Sequence, residues 1–157
     1  MTHWLKRWAA LAGLVACAAP AWSQDPAADV AGLIVSLKSE DPATRAASAR
    51  ILGELGAPAR QAVPALIEAL GDASRDVRQN AIKSLGLMGP AAADAVPTIV
   101  KALGESSWEL RRTAVTALGA IGDPRAKDAL KQARKDPNDK VRAAAKRAQK
   151  QLERARK

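Results

Sequence analysis

The chain has 157 residues, a formal net charge of +9, four tryptophans, and no phenylalanine or tyrosine. Its single cysteine excludes a disulfide within the chain, and its aliphatic composition favours packed helices over a sheet, whose faces normally carry aromatic residues. Residues 125–157 hold 13 basic and 4 acidic side chains, whereas residues 24–124 hold 10 basic and 12 acidic. The positive charge therefore belongs to the C-terminal end, where it either contacts an anionic partner or makes a solubilising cap of the chain.

The first residues have the pattern of a secretory signal peptide. Lys6 and Arg7 precede an uncharged apolar run over residues 9–19, and small residues lead up to a cleavage position after Ser23. The sequence predicts a signal peptide over residues 1–23, and therefore export to the periplasm of a bacterial cell.

Two alternatives to simple cleavage stay open. Residues 1–23 could form an amphipathic first helix of a cytosolic protein, although the uncharged run offers no polar face. The segment LVAC at residues 14–17 also resembles the box after which bacterial lipoproteins are acylated on cysteine. In that case the exported protein would be anchored to a membrane by lipid on Cys17.

A fourteen-residue pattern recurs every 33 residues, and a short apolar segment such as LIEAL at residues 66–70 precedes each copy. The copies are ATRAASARILGELG at 43–56, DVRQNAIKSLGLMG at 76–89 and ELRRTAVTALGAIG at 109–122. Each unit predicts two helices, and one such pair cannot bury both of its sides without a stacked neighbour. The sequence predicts an all-α solenoid of about four stacked helix-pair repeats in one domain over 24–157, with repeats near 29–56, 62–89, 95–122 and 126–155.

Apolar and small residues at helical spacing predict which side of each second helix is buried. In the first unit this face consists of Thr44, Ser48, Leu52 and Leu55. Prolines predict helix starts at Pro42, Pro64, Pro97, Pro124 and Pro137, and capping residues are predicted at Asp41, Ser74, Ser107, Asp123 and Asp136.

Glycine occurs twice near the end of each second helix. One series follows the last turn and predicts left-handed stops at Gly56, Gly89 and Gly122. The other lies inside the helix, where each glycine costs roughly 1 kcal/mol relative to alanine, at Gly53, Gly86 and Gly119. We expect this second series to permit close approach of a neighbouring helix.

The two-helix pattern, with V-R-x-x-A-x-x-x-L-G in the second helix and GDPRAKDAL at residues 122–130, resembles HEAT repeats. It is similar in particular to the short bacterial subtype also found in phycobilin lyases, over about residues 29–155. The resemblance implies a ladder of Arg45, Arg78, Arg111 and Arg142, with acidic partners among Asp41, Asp72, Glu105 and Asp136. We interpret the ladder as structural, and we do not carry over lyase activity, because those lyases are longer chains that enclose a tetrapyrrole.

The sequence offers few groups that could perform chemistry. His3 is the only histidine and Cys17 the only cysteine, and both lie in the predicted signal peptide. No glycine-rich loop has the spacing of a phosphate-binding loop, and the carboxylates recur once per repeat instead of converging. The sequence predicts a protein that is not an enzyme, with no metal, no cofactor and no small-molecule substrate.

The outward positions of the second helices should line the concave surface of such a stack. We predict that this surface binds a protein partner, as an interaction module or scaffold of the cell envelope, without naming the partner. The predicted partner-binding residues are Arg50, Gln79, Asn80, Lys83, Arg112, Thr113, Thr116 and Arg147.

The alternative prediction is polyanion binding by the basic C-terminal repeat. Candidate ligands are anionic lipid, polysaccharide or nucleic acid, of which export disfavours nucleic acid. The predicted contact residues are Lys140, Arg142, Lys146, Lys150 and Arg154.

Overall fold

The computed structural model describes residues 26–155, so the predicted signal peptide, Cys17 and Ser23 lie outside the described residues. This part of the chain contains eight α-helices in four consecutive pairs. The pairs are α1 (Pro26–Ser36) with α2 (Pro42–Leu55), α3 (Val63–Ala69) with α4 (Arg75–Met88), α5 (Val96–Lys101) with α6 (Trp108–Ile121), and α7 (Lys127–Ala133) with α8 (Asp139–Ala155). Short 3-10 turns occupy Ala57–Ala62, Gly89–Ala95, Ala102–Gly104 and Pro124–Ala126. The prediction of an all-α solenoid of four helix pairs is confirmed.

A continuous aliphatic core runs through all four pairs. Leu52, Leu85 and Leu118, at the same position of three successive second helices, are fully buried. The predicted buried face is wrong at two places in the first unit. Thr44 is exposed because its hydroxyl donates to the Asp41 carboxylate at the start of α2, and Leu55, in the last turn of α2, is 37% exposed.

The second helices stack directly on one another, α2 on α4, α4 on α6 and α6 on α8. Glycine is required at these contacts. A Cβ atom at Gly86 would lie 2.9 Å from the Cα of Ala117, and one at Gly119 would lie 2.7 Å from the Cα of Ala148. The same holds for Gly53, whose Cβ would lie 2.7 Å from a backbone atom of α4. The expected close approach of neighbouring helices is confirmed.

The glycines that follow the second helices all have positive φ, as predicted. Gly122, at φ 73° and ψ 14°, adopts the left-handed helical conformation. The prediction of a left-handed stop is wrong at Gly56 and Gly89, which combine positive φ with ψ of −142° and −135°, a region open to glycine alone. The physical reason is that the chain turns into a 3-10 segment at these two glycines.

Three of the predicted caps accept hydrogen bonds from amides at helix starts, namely Asp41, Ser107 and Asp123. Ser74 does not cap α4 with its side chain. The Asp72 carboxylate instead accepts the Ser74 amide at 2.8 Å, and Asp136 accepts the Asn138 amide at 2.8 Å in the same way. These turns hold the aspartates in place for contacts with the preceding repeat.

Candidate binding face of the second helices

A ladder of arginine–carboxylate pairs joins neighbouring repeats. Arg45 donates to both oxygens of Asp72 at 2.7 and 2.9 Å, and Arg111 donates to both oxygens of Asp136 at 2.7 and 3.0 Å. The Nη1 atom of each arginine also donates to two carbonyls of the turn inside its own repeat. The arginines therefore join helix ends to the next repeat, which supports their interpretation as structural.

The remaining members of the ladder differ from this pattern. Glu105 Oε1 lies 3.4 Å from Arg78 Nε and is not aligned for a hydrogen bond. Asp41 caps α2 and is not paired with a ladder arginine. Arg142, which we predicted to bind polyanions, donates from Nη1 to the carbonyls of Asp136 and Pro137 and thus also fixes a turn.

The ladder keeps its aspartates ionised. Hydrogen bonds from Arg45 hold the pKa of Asp72 below its ordinary value of 3.8, and those from Arg111 lower the pKa of Asp136 in the same way. Both pairs are mostly shielded from solvent. The side chains of Arg45 and Asp72 are 17% and 12% exposed, and those of Arg111 and Asp136 are 12% and 9% exposed. The carboxylates of Asp72 and Asp136 are therefore engaged in the fold and are not free to act on a ligand.

An open depression of about 450 Å³ lies between α4, α6 and α8. We call it the basic groove. No acidic side chain lines it, and it contains four cations, two threonines and two alanines: Lys83, Arg112, Lys140, Arg147, Thr113, Thr116, Ala143 and Ala144. The groove thus brings together five of the eight residues predicted to bind a partner, and adds Lys140 from the predicted polyanion set.

Trp108 orders two of the groove cations. The Lys140 ammonium lies 4.8 Å and the Arg112 guanidinium 5.8 Å from the centre of its ring, within the range of cation–π attraction. Trp108 is half-buried at the first position of α6 and packs against the core. No role for Trp108 was predicted from the sequence. Its spacing of four residues from Arg112 on one helix was the available signal, whereas its contact with Lys140 depends on the stacking of α8 on α6.

Three of the predicted partner-binding residues lie outside the basic groove. Arg50, on α2, forms an ion pair with Glu54 at 2.5 Å. Asn80 is half-buried and donates to the Ala46 carbonyl at 3.0 Å, which joins α4 to α2. Gln79 is half-buried as well.

The two threonines of the groove have hydroxyls that donate within their own helix. Thr113 donates to the Glu109 carbonyl at 2.8 Å, and Thr116 donates to the Arg112 carbonyl at 2.9 Å. Their methyl groups and acceptor lone pairs therefore remain as the features that a bound partner could contact.

The five residues predicted to bind polyanions do not share one face of α8. The core side of this helix carries Val141, Ala145, Ala148 and Leu152. At 100° per residue, Lys140 and Arg154 lie on the flank that carries the groove residues Ala143 and Arg147, Arg142 and Lys146 lie on the opposite flank, and Lys150 points away from the core. The basic charge of the last repeat is thus divided among three directions.

A family model for HEAT repeats matches residues 30–94 and, in an overlapping match, residues 63–149. The chain belongs to the HEAT-repeat family. Among curated proteins, none matches this HEAT-repeat sequence.

Solved structures resemble the HEAT-repeat chain in fold. A designed armadillo repeat protein in complex with the peptide (KR)4 superposes with a TM-score of 0.67 at 18% identity, covering 78% of this chain and 64% of its own. The phycocyanin lyase complex of CpcE and CpcF from a Nostoc species gives a TM-score of 0.54 at 21% identity, covering 78% of this chain and 99% of that chain. The expectation that such lyases are longer chains is therefore wrong for this structure. At these identities the likeness shows the fold alone.

Human deoxyhypusine hydroxylase in complex with glycerol has a TM-score of 0.67 at 29% identity, covering 86% of this chain. This HEAT-repeat chain spans only 46% of the hydroxylase and 64% of the designed armadillo protein, less than two thirds of either. The hydroxylase is an enzyme on a similar fold.

Within residues 26–155 of the present chain, no three His, Cys, Asp or Glu side chains are grouped as a metal site requires. No helix in that range is long and apolar enough to cross a membrane.

Proposed function

We propose that this HEAT-repeat chain is a non-enzymatic interaction module that binds a protein partner in the basic groove. The observation that carries the proposal is the convergence of Lys83, Arg112, Lys140 and Arg147, from three successive second helices, on one open depression. Stacked helical repeats typically present such extended surfaces to other proteins. The designed armadillo protein, which shares the fold, was itself solved with a bound peptide.

Several polar side chains outside the groove are engaged in the fold. The ladder arginines bind carboxylates and turn carbonyls, and Ser84 donates from α4 to the Ala49 carbonyl of α2 at 2.6 Å. In contrast, Lys83, Arg112 and Arg147 are exposed. An open depression lined by exposed side chains suits contact with another macromolecule better than enclosure of a small substrate.

Reversing two groove charges should therefore weaken partner capture. With a photo-crosslinking residue in place of Thr116, we expect the Lys83→Glu/Arg112→Glu variant to recover at least tenfold less of the crosslinked partner from native cells. The physical reason is that two attractive contacts become repulsive, while neither side chain supports the core. Quantitative mass spectrometry of the crosslinked product provides the measurement.

The matched control is Lys146→Glu/Lys150→Glu, which changes the net charge equally at two exposed positions off the side of α8 that lines the groove. It should leave recovery unchanged. Circular dichroism should show the same helical content in both variants. Full recovery with the Lys83/Arg112 variant would refute the assignment of the binding face.

We further propose that the module works in the cell envelope after export. Support comes from the sequence pattern of residues 1–23 alone. The intact mass of the protein purified from native cells is expected to correspond to a chain that begins at Gln24. A mass for Cys17 with acyl chains would keep the envelope location but tether the module to a membrane, whereas a mass beginning at Met1 would contradict export.

Polyanion binding through the last repeat is the second candidate, supported by the 13 basic side chains of residues 125–157. Removing α8 would be an unsuitable test, because the helix packs against α6 through Ala148 and Gly119, and its loss would expose the core. Charge reversal on the outward face leaves that contact intact and is the better probe.

A further inference from the structure

We infer that the basic groove binds an acidic peptide segment in extended conformation. This inference rests on the proposed function and specifies the chemistry of the partner. The groove presents cations from α4, α6 and α8 in succession: Lys83, then Arg112, then Lys140 and Arg147. Stacked helices are about 8–10 Å apart, and three residues of an extended polyproline II segment span about 9 Å and return the side chain to the same side. A carboxylate at every third position of such a peptide would reach a cation on each helix.

No acidic side chain in the groove offsets its positive charge. Glu109, the acidic residue nearest in sequence to Arg112, accepts a hydrogen bond from the Ser107 hydroxyl and pairs with Arg75 at 3.0 Å. It does not line the groove. Charges of one sign gathered in a depression attract ligands of the opposite sign and exclude like-charged ones.

Two of the cations are held in position before a ligand arrives. Trp108 contacts both Lys140 and Arg112, and its own ring is fixed by packing against the core. Ordered side chains lose less conformational entropy on binding than free ones. A guanidinium in a fixed orientation can also receive a carboxylate through two parallel hydrogen bonds, which favours carboxylates over diffuse negative charge.

The groove is better suited to a peptide than to a nucleic acid or a polysaccharide. Sequence-tolerant binding of single strands depends on aromatic rings that stack with bases, and Trp108 instead contacts cations and the core. A long polyanion also needs a continuous row of cations, and at 100° per residue Arg142, Lys146 and Lys150 lie outside the side of α8 that lines the groove. Ala143 and Ala144 leave room at its floor for the side chains of a peptide.

Fluorescence anisotropy with the full-length protein tests this inference. The probe is a fluorescein-labelled peptide of sequence (Glu-Ala-Ser)3, with (Gln-Ala-Ser)3 as the uncharged match. We expect the acidic peptide to bind and the uncharged one to bind at least tenfold more weakly. Arg112→Glu/Arg147→Glu should weaken binding of the acidic peptide at least tenfold, and Arg112→Gln/Arg147→Gln should give a smaller loss.

The control variant Lys146→Glu/Lys150→Glu should stay within about threefold of the unmodified protein, because only general charge attraction changes there. Equal losses in both charge-reversal variants, or equal binding of the two peptides, would overturn the inference. Tighter binding of a nine-nucleotide oligothymidylate or of a heparin oligosaccharide than of the acidic peptide would replace it with polyanion binding.

The two proposals can fail separately. If Lys83 and Arg112 are needed for partner capture but the acidic peptide does not bind, the interaction module stands and the peptide chemistry is wrong. The opposite outcome is that the peptide binds, and loses affinity in the Arg112/Arg147 variant, but the Lys83/Arg112 variant captures the partner as well as the unmodified protein does. In that case the groove has an acidic ligand but the proposed function fails.

Discussion

Replacing Gly86 with alanine is expected to lower the free energy of unfolding by about 1–3 kcal/mol, the usual range for overpacking. The added methyl would lie 2.9 Å from the Cα and 3.0 Å from the Cβ of Ala117, so α4 and α6 must move apart. Helix propensity alone predicts the opposite sign, since alanine in a helix interior is favoured over glycine by roughly 1 kcal/mol. Urea denaturation followed by circular dichroism measures the difference.

Gly32 supplies the matched control for this prediction. It lies within α1, is exposed, and a Cβ atom built on it would have no neighbour within 4 Å. Gly32→Ala should therefore be neutral or stabilising by up to about 1 kcal/mol, because only the backbone preference changes. If both substitutions stabilise the protein by the same amount, the tight contact between second helices does not limit the fold.

Replacing Asp136 with asparagine is expected to lower the free energy of unfolding by about 2–3 kcal/mol at neutral pH. The change removes the negative charge of a side chain that is 9% exposed and accepts two hydrogen bonds from Arg111, itself 12% exposed. Hydrogen bonds to charged groups contribute about 1.5–3 kcal/mol, and the guanidinium would be left shielded from solvent without its counter-ion. Chemical denaturation at pH 7 provides the measurement.

The effect of this substitution should also depend on pH. The pKa of Asp136 is held below 3.8 in the folded protein, mainly by the Arg111 hydrogen bonds. Its stabilising contribution is therefore fully present above about pH 4 and disappears as the pH falls through the lowered pKa. The difference in stability between the two proteins should shrink in acid.

The control for Asp136→Asn is Asp94→Asn, at an exposed carboxylate. It should change stability by less than about 0.5 kcal/mol, as expected of a surface position. A stability difference for Asp136→Asn that persists unchanged well below pH 4, or an equal loss for Asp94→Asn, would show that the ladder contributes no electrostatic stabilisation.

The candidate site could be predicted in part. The repeat alignment placed Lys83, Arg112, Thr116 and Arg147 at outward positions of second helices, and the structure brings them together. Asn80, at an equivalent outward position, donates instead to the Ala46 carbonyl. The sequence could not predict this contact, because it depends on the separation of α2 and α4. The contact of Lys140, on the next second helix, with Trp108 could not be predicted from the sequence either.

The sequence by itself determined the repeat, the helix pairs and the positions where glycine allows neighbouring helices to touch, whereas the ladder was implied by the resemblance to HEAT repeats. These features depend on periodicity and local chemistry, which one chain segment or its aligned copy already contains. Only the tertiary structure decided which cations share one groove, which ladder positions form close pairs, and that the basic residues of α8 point in three directions. Those outcomes depend on the distance and rotation between stacked helices, and these are set by side-chain packing across repeats.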